Sequence, residues 1–95
     1  RASRIPYGTR IDEALLKRIG SAERILHKTG FEQVRVRHHG TIARIEVPVG
    51  VIKRLLDPEL KNRIAKAFHR LGWQYSAVDL EGYSTGSLNR CITTV

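Results

Sequence analysis

The chain has 95 residues, of which 41% are hydrophobic, and its 17 Lys and Arg against 9 Asp and Glu give a net charge of +8. This length suits one small domain with a single modest core, and no apolar run approaches the roughly 18–20 residues of a membrane span. The single cysteine excludes an internal disulfide bond and favours a cytoplasmic location. The charge favours anionic partners, although a solvated basic surface explains it equally well. Because the sequence contains no methionine, we expect a fragment of a longer protein or a processed chain.

The first ten residues are expected to be irregular, since Pro6 and Gly8 interrupt regular structure. A helix is predicted next, with Thr9 ahead of its acidic first turn and Gly30 at its end. Apolar residues recur at helical spacing through this segment. They are Ile11, Leu15, Ile19, Ala22, Ile25 and Leu26.

Residues 31–47 predict two β-branched strands joined at His39-Gly40, where glycine can take a positive φ angle. Because strand side chains alternate, one face of this hairpin is polar and the other apolar. A two-residue loop at His39-Gly40 would pair Gln33 with Glu46, Arg35 with Arg44, and Arg37 with Ile42. The apolar face, predicted to be core, carries Val34, Val36, Ala43, Ile45 and Val47.

The arginines of the polar face predict an anion site. Two arginines directly across an antiparallel pair repel each other, at a cost of roughly 0.2–1 kcal/mol. An anion between the guanidinium groups would make this unfavourable interaction favourable. Planar guanidinium groups also bind phosphate oxygens in a bidentate manner. We therefore expect Arg35, Arg37 and Arg44 to bind phosphate. An exposed face with ordinary charged residues is the alternative.

The second half of the chain predicts a short helix after Pro48 and a longer one over 58–71. Asp57 would cap the longer helix at its N-terminus and Gly72 would end it. Residues 73–81 alternate as a third strand does, and residues 82–89 form a polar loop that could wrap a phosphate. The predicted fold is an α+β domain in the order α-β-β-α-β, with a small, largely antiparallel three-stranded sheet covered by helices on one face.

Other chemistry is weakly indicated. Glu23 and Glu46 could hold a divalent cation, although salt bridges to the arginines are an alternative. The histidines lack the spacing of a zinc site. No nucleophile with an evident base is present, so we expect no catalytic residue within this chain.

Four blocks of sequence together resemble a known family. They are Ser-Arg-Ile-Pro-Tyr-Gly at 3–8, Val-Arg-Val-Arg-His-His-Gly at 34–40, Ala-Arg-Ile-Glu-Val at 43–47, and Asp-Leu-Glu-Gly-Tyr at 79–83 with Gly-Ser-Leu-Asn at 86–89. In this order and spacing they resemble the C-terminal domain of LarE-type ATP-dependent sacrificial sulfur transferases, in the PP-loop ATP pyrophosphatase superfamily. The similarity runs over nearly the whole chain.

The resemblance implies that residues 1–10 lead from a missing N-terminal PP-loop domain and that residues 11–95 form the C-terminal domain. In this family the PP-loop domain uses ATP and Mg²⁺ to adenylate a carboxylate on a pyridinium mononucleotide. Sulfur then comes from a cysteine of the protein or from an iron–sulfur cluster, and the product feeds a nickel-pincer cofactor. The implied partners are the mononucleotide, the PP-loop domain of the same chain and further copies of the chain. Neither nucleic acid nor a membrane is expected.

By position, the resemblance implies that Ser3, Arg35 and Arg37 bind substrate phosphate, with Arg44 in support. It also implies that Glu23 and Glu46 lie near a divalent metal. The chain departs from the family in several places. A PP-loop motif is absent, Arg54 falls where some members have an acidic metal-site residue, Arg90 replaces a frequent Glu, and Cys91 does not occupy the position of the sulfur donor.

The sequence therefore predicts the substrate-phosphate domain of an ATP-dependent sulfur transferase, inactive without its missing partner domain. The rival hypothesis is a basic RNA-binding module, and a third is an oligomerisation domain with an acidic partner. Single-stranded RNA readers stack bases on sheet-face aromatics. We expect only Phe31 at the edge of the hairpin face, with Trp73 and Tyr75 on a different strand.

Overall fold

The computed structural model of the protein describes residues 13–83. Helix α1 spans Glu13–Lys28 and buries Ala22 and Leu26 on its apolar side. It ends as predicted at Gly30, whose φ of 106° lies in the region that glycine favours. The predicted helix start at Thr9 lies outside the described residues.

The hairpin consists of strand β1 (Arg35–His39) and strand β2 (Ile42–Glu46), which pair in antiparallel fashion. Its turn is Gly40-Thr41, and Gly40 has a φ of 60°. The predicted His39-Gly40 loop is therefore wrong, because glycine takes the first turn position and leaves His39 in the strand opposite Ile42.

The predicted register is wrong by two residues as a consequence. Arg44 lies opposite Arg37 rather than Arg35, and Arg35 lies opposite Glu46 in place of Gln33. A shift of two residues leaves every side chain on its predicted face, since strand side chains alternate with a period of two. The apolar face is buried as expected, with Val34, Val36, Ala43, Ile45 and Val47 in the core.

The second half of the chain crosses over the sheet through helices. A 3₁₀ turn (Val49–Val51) leads into the short helix α2 (Ile52–Leu55), and helix α3 spans Pro58–Leu71. The predicted ends of α3 are confirmed: the Asp57 carboxylate accepts a 3.1 Å hydrogen bond from the Leu60 amide, and Gly72 has a φ of 120°.

Strand β3 (Tyr75–Val78) is shorter than the predicted segment 73–81 and runs parallel to β2. Backbone hydrogen bonds extend beyond the strand, from the Asp79 amide to the Ile45 carbonyl at 2.9 Å and from the Tyr83 amide to the Val47 carbonyl at 2.8 Å. The sheet order is β1-β2-β3, with β2 in the centre.

The predicted α+β class and the order α-β-β-α-β are confirmed, and the sheet is mixed, with one antiparallel and one parallel pair. Trp73 and Phe31 belong to the core and are 1% and 2% exposed. The expectation that Phe31 lies at the edge of the exposed hairpin face is therefore wrong. The Trp73 indole donates a 3.0 Å hydrogen bond to His38 Nδ1.

Among residues 13–83, no helix has the length and apolarity to cross a bilayer. The predicted domain division at residue 10 stays a prediction.

Candidate anion-binding site

The sheet face opposite the helices is the arginine face. Strand neighbours in register point to the same side of a sheet, so each strand contributes alternate residues to it. These are Arg35, Arg37 and His39 from β1, Ile42, Arg44 and Glu46 from β2, and Tyr75 and Ala77 from β3.

Arg44 lies at the centre of this face and is held by residues from two neighbouring segments. Its Nη1 lies 2.8 Å from Glu46 Oε2 and 2.6 Å from Asp79 Oδ2, and its Nε donates to His39 Nε2 at 3.2 Å. A guanidinium group has five N–H donors on three nitrogens, so two of the three nitrogens of Arg44 are already engaged. Arg44 therefore serves first to neutralise two carboxylates.

Glu46 is the buried carboxylate of the arginine face, with only 6% of the residue exposed. Its second oxygen, Oε1, lies 3.4 Å from Arg37 Nε, a longer contact than that with Arg44. A buried charge is tolerated when it is paired and hydrogen-bonded. Glu46 thus offsets the repulsion between Arg37 and Arg44, so the anion expected between opposed guanidinium groups is here a side chain of the protein itself.

Arg35 and Arg37 keep donors for an external ligand. Arg35 is exposed and makes no ion pair or side-chain hydrogen bond with any residue of 13–83. The Arg37 side chain is 46% exposed and uses only Nε, toward Glu46. The two residues lie on one face two positions apart, which separates their Cα atoms by about 7 Å. Two guanidinium groups at this spacing can converge on one phosphate.

Of the predicted metal ligands, Glu23 has a partner of a different kind. Its Oε2 accepts a 2.9 Å hydrogen bond from the Val36 amide, which ties α1 to the edge strand β1. Glu46 instead contacts the two arginines. Across residues 13–83 no three His, Cys, Asp or Glu side chains lie close enough to hold a metal ion. The described residues alone do not fit a metal site, and the assignment of Glu23 and Glu46 to one stays a prediction.

Two other predicted features lie at or beyond the limits of the described chain. Ser3 lies outside the described residues, and so does all of the predicted phosphate-wrapping loop except Gly82 and Tyr83.

Arg54 is placed apart from the arginine face, with its guanidinium 4.4 Å from the Phe31 ring centroid and its Nη2 donating to the Thr29 carbonyl at 3.2 Å.

Sequence reasoning missed Asp79 and His39 as parts of this site. Asp79 lies 35 residues from Arg44 in sequence, and only the parallel placement of β3 beside β2 brings it there. The sequence predicts Asp79 within the strand 73–81, and no local pattern sets this strand beside β2. The predicted turn includes His39, so the sequence did not indicate its place on the arginine face beside Arg44.

The fold and this face define a small α+β domain with a cationic sheet surface. No protein-family model matches the chain. The chain is 37% identical over 92 residues to the pyridinium-3,5-bisthiocarboxylic acid mononucleotide synthase of Lactiplantibacillus plantarum. The aligned region covers 97% of this chain and 33% of that protein. It is 40% identical over 92 residues to uncharacterized protein slr1717 of Synechocystis, covering 97% of this chain and 34% of that protein.

The chain therefore spans about a third of the length of the curated relatives it matches. A homologue with the synthase name supports the resemblance to LarE-type proteins over nearly the whole chain. Membership of the PP-loop superfamily stays a prediction.

Proposed function

We propose that this chain is the C-terminal domain of a LarE-type ATP-dependent sulfur transferase and supplies its substrate-phosphate site. The complete enzyme would thiolate a carboxylate on a pyridinium mononucleotide during nickel-pincer cofactor biosynthesis. ATP and Mg²⁺ would bind in an N-terminal PP-loop domain, where the carboxylate would displace pyrophosphate from ATP to form an acyl adenylate. A sulfur nucleophile, supplied by a cysteine of the protein or by an iron–sulfur cluster, would then displace AMP. The domain would be inactive alone and would act within a cytoplasmic homo-oligomer.

The observation that carries this proposal is the pair of available guanidinium groups on β1. Arg35 has no ion pair among residues 13–83, and Arg37 keeps its terminal nitrogens. A mononucleotide has a terminal phosphate monoester, whose oxygens match the N–H donors of a guanidinium group. The name of the Lactiplantibacillus plantarum relative, a mononucleotide synthase, supports the same class of ligand.

Calorimetric titration of the 95-residue chain with nicotinic acid mononucleotide tests this site. Nicotinic acid riboside, which lacks the phosphate, should bind much more weakly than the mononucleotide. The Arg35→Ala/Arg37→Ala variant should lose affinity by about a hundredfold or more, since charge-assisted hydrogen bonds contribute about 1.5–3 kcal/mol each.

A matched control variant separates contact from general charge. Lys61→Ala/Arg63→Ala removes the same two positive charges from helix α3, in the layer on the other side of the sheet, and should leave the affinity close to wild type. If the Arg35→Ala/Arg37→Ala variant binds the mononucleotide as well as wild type does, the proposed site is wrong.

One observation favours the RNA-binding alternative. Tyr75 lies on β3, a different strand from the hairpin as expected, but it is 61% exposed and shares the arginine face beside Ile42. Within residues 13–83, Tyr75 is the one Phe, Tyr or Trp exposed on this face, fewer than the two or three that stack bases in sheet-face RNA readers, so the mononucleotide remains the better ligand. An RNA reader would lose affinity for single-stranded RNA in Tyr75→Ala and would bind RNA with a steep salt dependence.

A further inference from the structure

We propose that Glu46 is a positioning residue, which orients Arg37 and Arg44 for phosphate binding and does not ligate a metal ion. This inference rests on the proposed function, because it concerns the same phosphate site. It assigns Arg35 and Arg37 as the groups that contact the anion and gives Arg44 a supporting part.

Both oxygens of the Glu46 carboxylate contact an arginine of the chain. Oε2 contacts Arg44 Nη1 at 2.8 Å and Oε1 contacts Arg37 Nε at 3.4 Å, in a residue that is 6% exposed. A cation entering this place would compete with a guanidinium group at each oxygen and would be repelled by both. Among residues 13–83 it would also find no set of three ligands.

The contacts of Glu46 belong to a chain of charged groups that crosses the sheet. Asp79, after β3, holds Arg44 of β2 at 2.6 Å, and Arg44 holds Glu46, which reaches Arg37 of β1. Because Glu46 engages Arg37 through Nε, the two terminal nitrogens stay available. Arg37 is thus oriented before an anion arrives, which preserves more of the binding free energy than ordering a mobile side chain on binding would.

The direction in which one substitution changes the phosphate affinity separates positioning from simple electrostatics. Glu46→Gln removes a negative charge near Arg37, and by Coulomb attraction alone it should strengthen phosphate binding. The glutamine has one acceptor oxygen and one NH₂ donor, so it can accept from only one of the two guanidinium groups and turns a donor toward the other. Positioning therefore predicts weaker binding in spite of the more positive site.

The experiment titrates nicotinic acid mononucleotide into wild type, Glu46→Gln and Glu32→Gln, all with EDTA present. Glu32→Gln is the matched control, because it removes the same charge from an exposed residue just before β1 that makes no ion pair within 13–83. We expect Glu46→Gln to bind about tenfold more weakly, because Arg37 must then be ordered on binding, and Glu32→Gln to bind as wild type does.

A spectroscopic readout distinguishes positioning from a loss of fold. In ¹⁵N relaxation spectra of the ligand-free chain, the Arg37 Nε–H group should be ordered in wild type and mobile in Glu46→Gln. The backbone amide spectrum should stay dispersed in both, which shows that the fold is retained. Glu46→Asp, which keeps the charge but is shorter by one methylene, should also release Arg37. Wild type itself should bind equally well in EDTA and in excess Mg²⁺ or Mn²⁺.

Each outcome decides between the two claims. Equal or tighter binding by Glu46→Gln, or binding by wild type only when metal is present, overturns the positioning role and leaves the arginine site intact. Equal binding by Arg35→Ala/Arg37→Ala and wild type, or no binding by wild type, overturns the proposed function and the positioning role with it.

Discussion

Arg37 and Arg44 lie directly opposite each other in the antiparallel hairpin, and the Glu46 carboxylate contacts both. A like-charge pair of this kind is destabilising without an anion. Here Glu46 supplies that anion and Asp79 supplies a second one to Arg44. The arginine face therefore separates into a paired part around Arg44 and a part available to ligand around Arg35.

Arg44→Met should destabilise the domain strongly. The substitution keeps an apolar stem but leaves the buried Glu46 carboxylate without its shortest ion pair, which should lower the free energy of unfolding by about 2–4 kcal/mol. Urea denaturation followed by tryptophan fluorescence measures this, since the single tryptophan, Trp73, is in the core.

Two further variants check the cause. Arg35→Met, at an exposed site without an ion pair in the described chain, should change the free energy of unfolding by no more than about 0.5 kcal/mol. Arg44→Met/Glu46→Met should recover part of the loss, because the buried charge is removed together with its partner. A double variant less stable than Arg44→Met would contradict this account of Glu46.

Gly82→Ala should also be destabilising. Gly82 has a φ of 77°, and an added Cβ would lie 2.6 Å from the Val47 carbonyl oxygen. Left-handed backbone strain alone costs a non-glycine residue about 1–3 kcal/mol, and the clash adds to it. Thermal unfolding should show a clear fall in Tm.

Gly20→Ala is the matched glycine variant with the opposite expected sign. Gly20 lies within α1, and its Cβ would meet nothing within 4 Å. Replacing a helical glycine by alanine should therefore raise the free energy of unfolding by about 0.5–1 kcal/mol. A loss of stability in Gly20→Ala would show that the helix packs more closely there than the structure indicates.

Asp57→Ala should remove the N-terminal cap of α3. The Asp57 carboxylate accepts from the Leu60 amide at 3.1 Å, and loss of such a cap costs about 1 kcal/mol. Asp57→Asn keeps a good capping residue and should lose less. Equal stability of the alanine and asparagine variants in urea titrations would mean that the cap contributes nothing measurable.

Glu23→Ala should loosen the edge strand at its contact with α1. The variant removes the acceptor of the Val36 amide, which should lower the free energy of unfolding by about 1–2 kcal/mol. Hydrogen exchange should speed up at the Val36 amide in particular. Glu23→Gln keeps an acceptor oxygen and should retain most of the protection, whereas unchanged exchange in Glu23→Ala would contradict the assigned hydrogen bond.

The faces of the hairpin could be predicted from sequence, but its register could not. The alternation around Val36 and Ile45 fixes which side is buried, and a slip of two residues does not disturb it. The register depends on which of His39, Gly40 and Thr41 form the turn. Both choices contain Gly40, so local composition leaves the decision to the contacts that follow.

The candidate site was predictable as far as its arginines and Glu46, which follow from strand alternation. Asp79, the third charged group around Arg44, depends on long-range packing. Asp79 reaches Arg44 because the crossover through α3 sets β3 parallel to β2. No local pattern specifies that neighbour, which is why the network that restrains the arginines appears only in the folded structure.

The most direct test of the central claim is an amide NMR titration of the chain with nicotinic acid mononucleotide, with a short RNA as competitor. We expect saturable shifts that cluster at Arg35 and Arg37, and at Ser3 if the resemblance carries over, with little change in α3. Diffuse, salt-sensitive shifts that appear with RNA, and no shifts at Arg35 and Arg37 with the mononucleotide, would contradict it.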